Sequence, residues 1–250
     1  MDSSRCKLEY ETALIEDLAW LGVAFEPNPR RQSGHSADYA AALGELKRQG
    51  LAYPCLCSRA DVAALSGGAR DPDGAPRHFS RACRHQESET ARRVDEGERF
   101  AWRLDMAAAC RIVGDAQTWR EFYESDAAAE RCGPALAWGD ILLTGIARVA
   151  SYPLAVVVDD SLQGITDVVR GRDLIEATAA HRVLQRLLGL APPVYRHHRL
   201  VLGGEGAKLG KRVRSPSLAA LREAGAGSGD VRRMLGFDGA AADVVFSAGE

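Results

Sequence analysis

The sequence has no long hydrophobic run and no apolar segment near its start. No stretch approaches the roughly 20 apolar residues that a membrane helix needs, and the segment from Met1 to Arg5 has no signal-peptide core. We therefore expect a cytoplasmic protein without membrane spans. An apolar share of 46% and a charged share of 26% are ordinary for a globular chain, and 250 residues suffice for one large domain or two small ones.

An excess of charge of one sign is also absent. The 32 basic residues are balanced by 34 acidic ones, for a formal net charge of −2, which argues against indiscriminate coating of nucleic acid but leaves room for a local basic face. Lysine is scarce, because all basic residues except Lys7, Lys47, Lys208 and Lys211 are arginines. Two of these lysines lie three residues apart, which indicates a site that uses compact ammonium groups; the alternative is a coding bias towards arginine.

Hydrophobic periodicity predicts most of the secondary structure. Glycine-terminated helices are expected at about 7–21, 36–50 and 172–188, and shorter helices at 217–223 and 230–235. Ser58 and Asp61 have the spacing of a capping box. Residues 99–104 alternate like a strand, and 154–158 form a compact apolar run typical of a buried strand. Strands interleaved with helices indicate an α/β fold.

Three of the cysteines have spacing that suits a metal. Cys55 and Cys57, one residue apart on a turn, can both reach a tetrahedral zinc ion, with the distant Cys83 as a third ligand. A fourth ligand is needed, and His78 and His85 flank Cys83. The alternative is a set of free thiols, because the absence of an export signal disfavours disulfides. The remaining cysteines stand alone and are expected in the core, at positions 6, 110 and 132.

Basic residues near the C-terminus offer a second candidate site. Lys208 and Lys211 follow a glycine-rich turn, where they could hold a polyphosphate and stabilise its charge during transfer. The alternative is a solvated loop with scattered cations. The run 196–199 (RHHR) either faces RNA or forms a solvated edge.

A third candidate follows the expected buried strand. Asp159 and Asp160 end that strand and Arg170 lies in a later turn, a pattern that suits a pocket wall at the carboxyl end of a sheet. The alternative is that the two aspartates only cap the strand and that Asp173 caps the next helix.

Taken together, these segments resemble the glutamyl-queuosine tRNA(Asp) synthetases, which are class I aminoacyl-tRNA synthetase paralogues of the catalytic half of glutamyl-tRNA synthetase. Order and spacing agree along nearly the whole chain. The matching segments are 10–22 (YETALIEDLAWLG), 53–59 (YPCLCSR), 83–84, 154–160, 163–164, 168–173, 184–189 and 208–212 (KLGKR).

The resemblance implies a Rossmann-type catalytic domain over about 1–240. It would contain a zinc-binding insertion at about 51–90 and a lysine-loop region at about 200–240, followed by a loose tail at 241–250. The implied reaction activates L-glutamate with ATP and Mg²⁺, then transfers glutamate to queuosine in the anticodon of tRNA(Asp). A monomer is the default expectation.

The resemblance also assigns roles to individual residues. Tyr152 and Arg170 match the positions that bind glutamate, which suits a phenol that donates beside a guanidinium able to grip a carboxylate bidentately. Lys211 matches the lysine that contacts ATP, and Lys208 is the first lysine of the same catalytic loop. Catalysis of this kind depends on positioning and charge stabilisation and requires no nucleophilic side chain.

The implied zinc site and the lysine loop both depart from the family pattern. Cys55, Cys57 and Cys83 match three of the four zinc ligands, but Phe79 stands where the family has a tyrosine ligand. His78 could replace that tyrosine; otherwise the site is three-coordinate with water, or empty. In the lysine loop the family serine is Gly210, which removes a hydroxyl and adds backbone freedom.

The N-terminus departs as well, and the resemblance suggests an N-terminally truncated catalytic domain. The family begins with a strand and a helix N-terminus that hold glutamate and ATP, whereas segment 2–5 aligns just after them. Either the true start lies upstream and the chain is an enzyme, or the loss is real and the chain is an inactive relative that binds tRNA or glutamate. A fragment of ordinary glutamyl-tRNA synthetase is a third hypothesis, which the lack of room for an anticodon domain disfavours.

Overall fold

In the computed structural model, the structure describes residues 7–24, 29–70, 76–79, 87–122, 128–146, 148–202, 209 and 217–237. The chain divides into two compact units. The first comprises Arg31–His197, and the second combines Asp2–Arg30 with His198–Glu250. The expected tail at 241–250 lies outside the described residues.

The strands form two sheets. A two-stranded antiparallel sheet pairs β1 (Ala52–Cys55) with β2 (Ala101–Leu104), so the strand predicted at 99–104 is confirmed. A four-stranded mixed sheet has the order β4-β3-β6-β5, from β3 (Ala116–Phe122), β4 (Ala128–Pro134), β5 (Asp167–Gly171) and β6 (Val194–His198). Strand β3 is antiparallel to β4 and parallel to β6, with Glu121 opposite Tyr195. The α/β class is therefore confirmed.

The described part of the chain also contains α-helices. They are α1 (Leu8–Trp20), α2 (Ser36–Arg48), α3 (Arg59–Leu65), α4 (Glu87–Asp95), α5 (Met106–Val113), α6 (Tyr152–Leu162), α7 (Ala177–Leu187), α8 (Leu218–Glu223) and α9 (Ser228–Met234). All five periodicity predictions of helix are confirmed, although 172–174 is a separate 3-10 turn before α7. The capping box is confirmed too, since Ser58 and Asp61 bond each other's backbone N–H at the start of α3. None of the described helices is long and apolar enough to cross a membrane.

The prediction of a buried strand at 154–158 is wrong, because this run lies in helix α6. The helix packs against both α2 and α7, so it is apolar on most of its surface and its periodicity resembles that of a buried strand. Pro153 occupies its first turn, where a missing N–H costs nothing. Asp159 therefore does not end a strand: it is buried and accepts hydrogen bonds from the Tyr39 hydroxyl at 2.8 Å and Gln32 Nε2 at 2.9 Å.

Two smaller expectations are also corrected. Asp173 lies in the 3-10 turn and does not cap α7, which begins at Ala177. Cys110 is buried as expected, and desolvation raises the pKa of its thiol to about 11. Cys132 is exposed, because it points outward from the edge strand β4, and Cys6 lies outside the described residues.

The second unit contains α1, α8 and α9. Arg222 on α8 forms an ion pair with Asp17 on α1 at 3.3 Å, and its guanidinium lies 5.7 Å from the centre of the Trp20 ring. Arg232 on α9 donates to the carbonyl oxygen of Leu21. Arginine side chains thus connect the helices of this unit.

Candidate functional site

Arg170 on β5 is the centre of a buried polar cluster, since only 9% of the residue is exposed. Its Nε donates to His197 Nε2 at 3.0 Å, and its Nη1 lies 2.9 Å from His181 Nδ1. Its Nη2 donates to Thr178 Oγ1 at 2.6 Å and to the carbonyl oxygen of Leu174 at 3.2 Å. The side chain is therefore fixed by contacts to β6, to α7 and to the turn before α7.

Both histidines of this cluster favour the neutral form. Burial and the charges of Arg170 and His197 lower the pKa of His181 from 6.5 to about 3. Burial and the charge of Arg170 also lower the pKa of His197, against the opposing effect of Glu121. At neutral pH the cluster therefore contains two uncharged imidazoles beside one guanidinium.

Glu121 forms the outer layer of the cluster. It lies on β3, is 1% exposed, and places Oε1 3.0 Å from His197 Nδ1. Its Oε2 accepts a hydrogen bond from Trp119 Nε1 at 3.0 Å and lies 3.2 Å from Arg131 Nε. The order of the mixed sheet thus aligns Arg131, Glu121, His197 and Arg170 on four neighbouring strands.

Tyr152 lies at the surface beside this cluster. It is the first residue of α6 and is 53% exposed, and its ring centre lies 5.9 Å from that of His181. Tyr152 and Arg170, which the resemblance paired, thus both contact the imidazole of His181. Asp160 on the same helix is half-buried, and burial raises the pKa of its carboxyl to about 6 although the charge of Arg170 opposes this.

The donor count of Arg170 limits how its guanidinium could bind a carboxylate. A guanidinium has five N–H groups, and four of them meet acceptors: two imidazole nitrogens, one hydroxyl and one carbonyl. Within the described part of the chain, one Nη1–H remains for a ligand. The geometry therefore suits one hydrogen bond to a carboxylate, with the second carboxylate oxygen bound by another group.

A second candidate site contains metal-ligating side chains. The donor atoms of Cys55, Cys57 and His78 all lie within 4.8 Å of one another, and Cys55 Sγ is 3.9 Å from His78 Nε2. Two thiolates and an imidazole are a donor set that zinc prefers, so these residues fit the ion. Phe79 is 37% exposed and has no donor atom.

Contacts with neighbouring residues hold His78 in place. Tyr53 donates to Asp140 Oδ2 at 2.7 Å, and His78 Nδ1 lies 3.5 Å from the same hydroxyl and 3.7 Å from the same carboxylate oxygen. The backbone N–H of Asp140 also donates to the carbonyl of His78 at 2.5 Å. Gly139 permits this approach, because it has φ +65° and a Cβ there would lie 2.2 Å from the His78 carbonyl oxygen. Outer contacts of this kind orient histidine ligands in metal sites.

Several predicted site residues cannot be placed. Lys208, Lys211, Gly210, Cys83 and His85 lie outside the described residues. The run 196–199 is not a uniformly exposed face, because the His197 side chain is fully buried.

Glu121, Thr178 and His181 were not predicted from the sequence as members of this cluster. A signal for Glu121 was present, since Gln117, Trp119 and Glu121 alternate with exposed residues as the inward face of a strand.

Comparison with known proteins identifies the class. Residues 1–236 match the family of tRNA synthetases class I (E and Q), catalytic domain. The fold is similar to that of a glutamate tRNA ligase from Elizabethkingia meningosepticum, with a TM-score of 0.61 and 20% identity, and the match covers 84% of this chain and 43% of that one. The chain thus spans under half the length of that structure.

More similar relatives define the branch within this class. A glutamyl-Q tRNA(Asp) synthetase from Rhodobacter capsulatus is 36% identical over 245 residues, which cover 94% of this chain and 85% of that protein. Another from Nitratidesulfovibrio vulgaris is also 36% identical, over 94% of this chain and 72% of that protein. The chain belongs to the glutamyl-Q tRNA(Asp) synthetase family of class I ligases.

Proposed function

We propose that this protein activates L-glutamate with ATP and transfers it to queuosine in the anticodon of tRNA(Asp). The observation that carries this proposal is the state of Arg170. Among the described residues, the hydrogen-bond acceptors of its buried guanidinium are all uncharged, and one of its N–H groups is left for an anion. A carboxylate is the anionic group of the proposed amino acid, and a charge-assisted hydrogen bond is about twice as strong as a neutral one.

In the proposed mechanism, Arg170 and Tyr152 hold a carboxylate of glutamate. A carboxylate oxygen of glutamate attacks the α-phosphorus of ATP, which forms glutamyl-AMP and releases pyrophosphate. A hydroxyl of queuosine then attacks the glutamyl carbonyl, so that an ester forms and AMP leaves. By resemblance, Lys208 and Lys211, with Mg²⁺ on ATP, stabilise the negative charge that develops on the phosphates.

The proposal also includes one structural zinc ion, bound by Cys55, Cys57 and His78 with Cys83 as the fourth ligand. His78 thereby takes the place that the family gives to a tyrosine, next to Phe79. A structural zinc ion crosslinks the segments that carry its ligands and adds folding free energy.

The activity test compares two arginines that lie two positions apart in the chain, the buried Arg170 and the exposed Arg172. Glutamate-dependent pyrophosphate exchange, and transfer of labelled glutamate to queuosine-containing tRNA(Asp), are measured for the wild type, Arg170→Lys and Arg172→Lys. Lysine cannot satisfy the acceptors around position 170, so Arg170→Lys should raise the KM for glutamate at least about ten-fold. Arg172 is exposed, and Arg172→Lys should behave like the wild type.

The outcomes separate the alternative functions. Charging of tRNA(Glu) in place of tRNA(Asp) would favour an ordinary glutamyl-tRNA synthetase activity. Binding of tRNA without pyrophosphate exchange would favour an inactive relative. Equal KM values for the two arginine variants would remove Arg170 from the glutamate site.

The zinc test is a metal analysis of purified protein. We expect about one zinc per chain, with loss in Cys55→Ser and His78→Ala and retention in Cys132→Ser, which changes an exposed free cysteine. His85→Ala tests the other histidine that flanks Cys83. Loss of zinc in His85→Ala but not in His78→Ala would assign the histidine ligand to His85.

A further inference from the structure

The contacts of Arg170 determine where both histidines carry their protons. A guanidinium only donates hydrogen bonds, so His181 Nδ1 and His197 Nε2, at 2.9 and 3.0 Å from it, must both be unprotonated acceptors. His181 then carries its proton on Nε2. His197 carries its proton on Nδ1 and donates it to Glu121 Oε1 at 3.0 Å.

We propose that Glu121, His197 and His181 are positioning residues for Arg170. Glu121 fixes the tautomer of His197, and the two imidazoles fix the plane of the guanidinium so that one Nη1–H is presented to the substrate carboxylate. The substrate part of this inference rests on the proposed function. The proton positions do not, because they follow from protein contacts alone.

The surroundings of the histidines explain why the neutral form is needed. A protonated imidazole at either position would direct an N–H group at the N–H groups of Arg170, and two cations would share one buried volume. The Tyr195 ring stacks on His197 with an interplanar angle of 5°, and the Tyr152 ring centre lies 5.9 Å from that of His181.

Glu121 is well placed to hold one tautomer. Its Oε2 is occupied by Trp119 Nε1 and Arg131 Nε, and its Oε1 faces His197 Nδ1. A carboxylate only accepts hydrogen bonds, so it binds the Nδ1–H tautomer and disfavours the other. The charge of Glu121 pairs with Arg131, and its other oxygen bonds His197. Glu121 therefore acts on Arg170 through His197.

The first test reads proton positions directly. Long-range ¹H–¹⁵N spectra of histidine-labelled protein are recorded at pH 7, with assignments from His181→Asn and His197→Gln. We expect the Nε2–H form at His181 and the Nδ1–H form at His197, both neutral. An imidazolium or the opposite tautomer at either residue would overturn the proposal.

The second test measures glutamate binding, with ATP binding as the internal reference. Glu121→Ala should weaken glutamate affinity on the order of ten-fold, as loss of a buried hydrogen-bond partner does, and leave ATP affinity near the wild-type value. His197→Gln keeps an acceptor for Arg170 but not the proton for Glu121, so it should lie between Glu121→Ala and the wild type. His198→Gln, at the neighbouring histidine, is the matched control.

Three results would contradict the positioning role or the proposed function. Unchanged glutamate affinity in Glu121→Ala, in a protein whose wild type binds glutamate, would refute positioning through His197. Equal loss of glutamate and ATP affinity would show a general structural role and refute it too. A wild type that binds no glutamate would instead contradict the proposed function, and the proton positions would still decide whether the histidines hold Arg170 as inferred.

Discussion

Stability in mild acid should depend on His181. Its imidazole is buried, and its pKa in the folded protein is lowered from 6.5 to about 3. In the unfolded chain His181 has its ordinary pKa of 6.5, so below pH 6.5 the unfolded chain binds a proton that the folded protein does not. The free energy of unfolding therefore decreases as the pH falls from 6.5 to about 3. For one such site the loss between pH 7 and pH 5 is about 2 kcal/mol.

Other groups titrate in the same range, so the prediction is a difference between two proteins. The pKa of Asp160 is raised from 3.8 to about 6, and the stability that its protonated form contributes is lost as pH rises through that window. This effect opposes that of His181, but it is present in both the wild type and His181→Asn. Asparagine also keeps an acceptor near the former Nδ1 for Arg170.

The assay is urea unfolding followed by tryptophan fluorescence at pH 7, 6 and 5. The wild type should lose about 2 kcal/mol more than His181→Asn between pH 7 and pH 5, whatever the stability of the variant at pH 7. His35→Asn, at a half-exposed histidine, is the control for replacement of an imidazole elsewhere in the chain. Equal slopes for the wild type and His181→Asn would show that His181 binds its proton in the folded protein, and the argument for a neutral cluster would fail.

Three further substitutions test the fold around the two sites. Gly139→Ala should cost more than about 2 kcal/mol of stability and reduce the zinc content, because the new Cβ would collide with the His78 carbonyl; metal analysis and thermal unfolding check this. Tyr39→Phe removes a hydrogen bond to the buried Asp159 and should cost about 1–3 kcal/mol in urea unfolding, and a smaller loss would mean that Asp159 is satisfied without the phenol. Ser58→Ala removes a helix cap and should cost about 1 kcal/mol, with no change in glutamate affinity.

Local signals in the sequence predicted most of the described helices and strand β2, but not the four-stranded sheet. The amphipathic stripe of α2 and the capping box of Ser58 act over a few residues, so they are visible in one segment at a time. Strand β6 has no such signal, because its burial depends on β3, whose Glu121 lies more than 70 positions from Tyr195 in sequence but beside it in the sheet. Helix α6 was predicted as a strand for a related reason: its partners α2 and α7 surround it, and only Pro153 in its first turn indicated a helix.

The same distinction applies to the candidate sites. Arg170 and Tyr152 were predicted through resemblance, and Cys55 with Cys57 through spacing. The groups that hold them were not found, because His181 and Asp140 have no short-range pattern that relates them to Arg170 or to the cysteines. Their roles follow from hydrogen-bond geometry, which depends on the packing of several elements.

The hydrogen-bond partners of the buried Arg170 guanidinium are neutral, and the proposed function gives a reason for this arrangement. A carboxylate in place of either His181 or His197 would pair with the guanidinium and lower the cost of burying it. It would also neutralise the positive charge that, under the proposed function, binds a carboxylate of glutamate. Neutral imidazoles hold the guanidinium by hydrogen bonds without adding a negative charge beside it, and the lowered pKa values of both histidines are the counterpart of that arrangement. A bound carboxylate would then relieve the cost of the buried charge, so glutamate should stabilise the folded protein by the amount that its binding contributes.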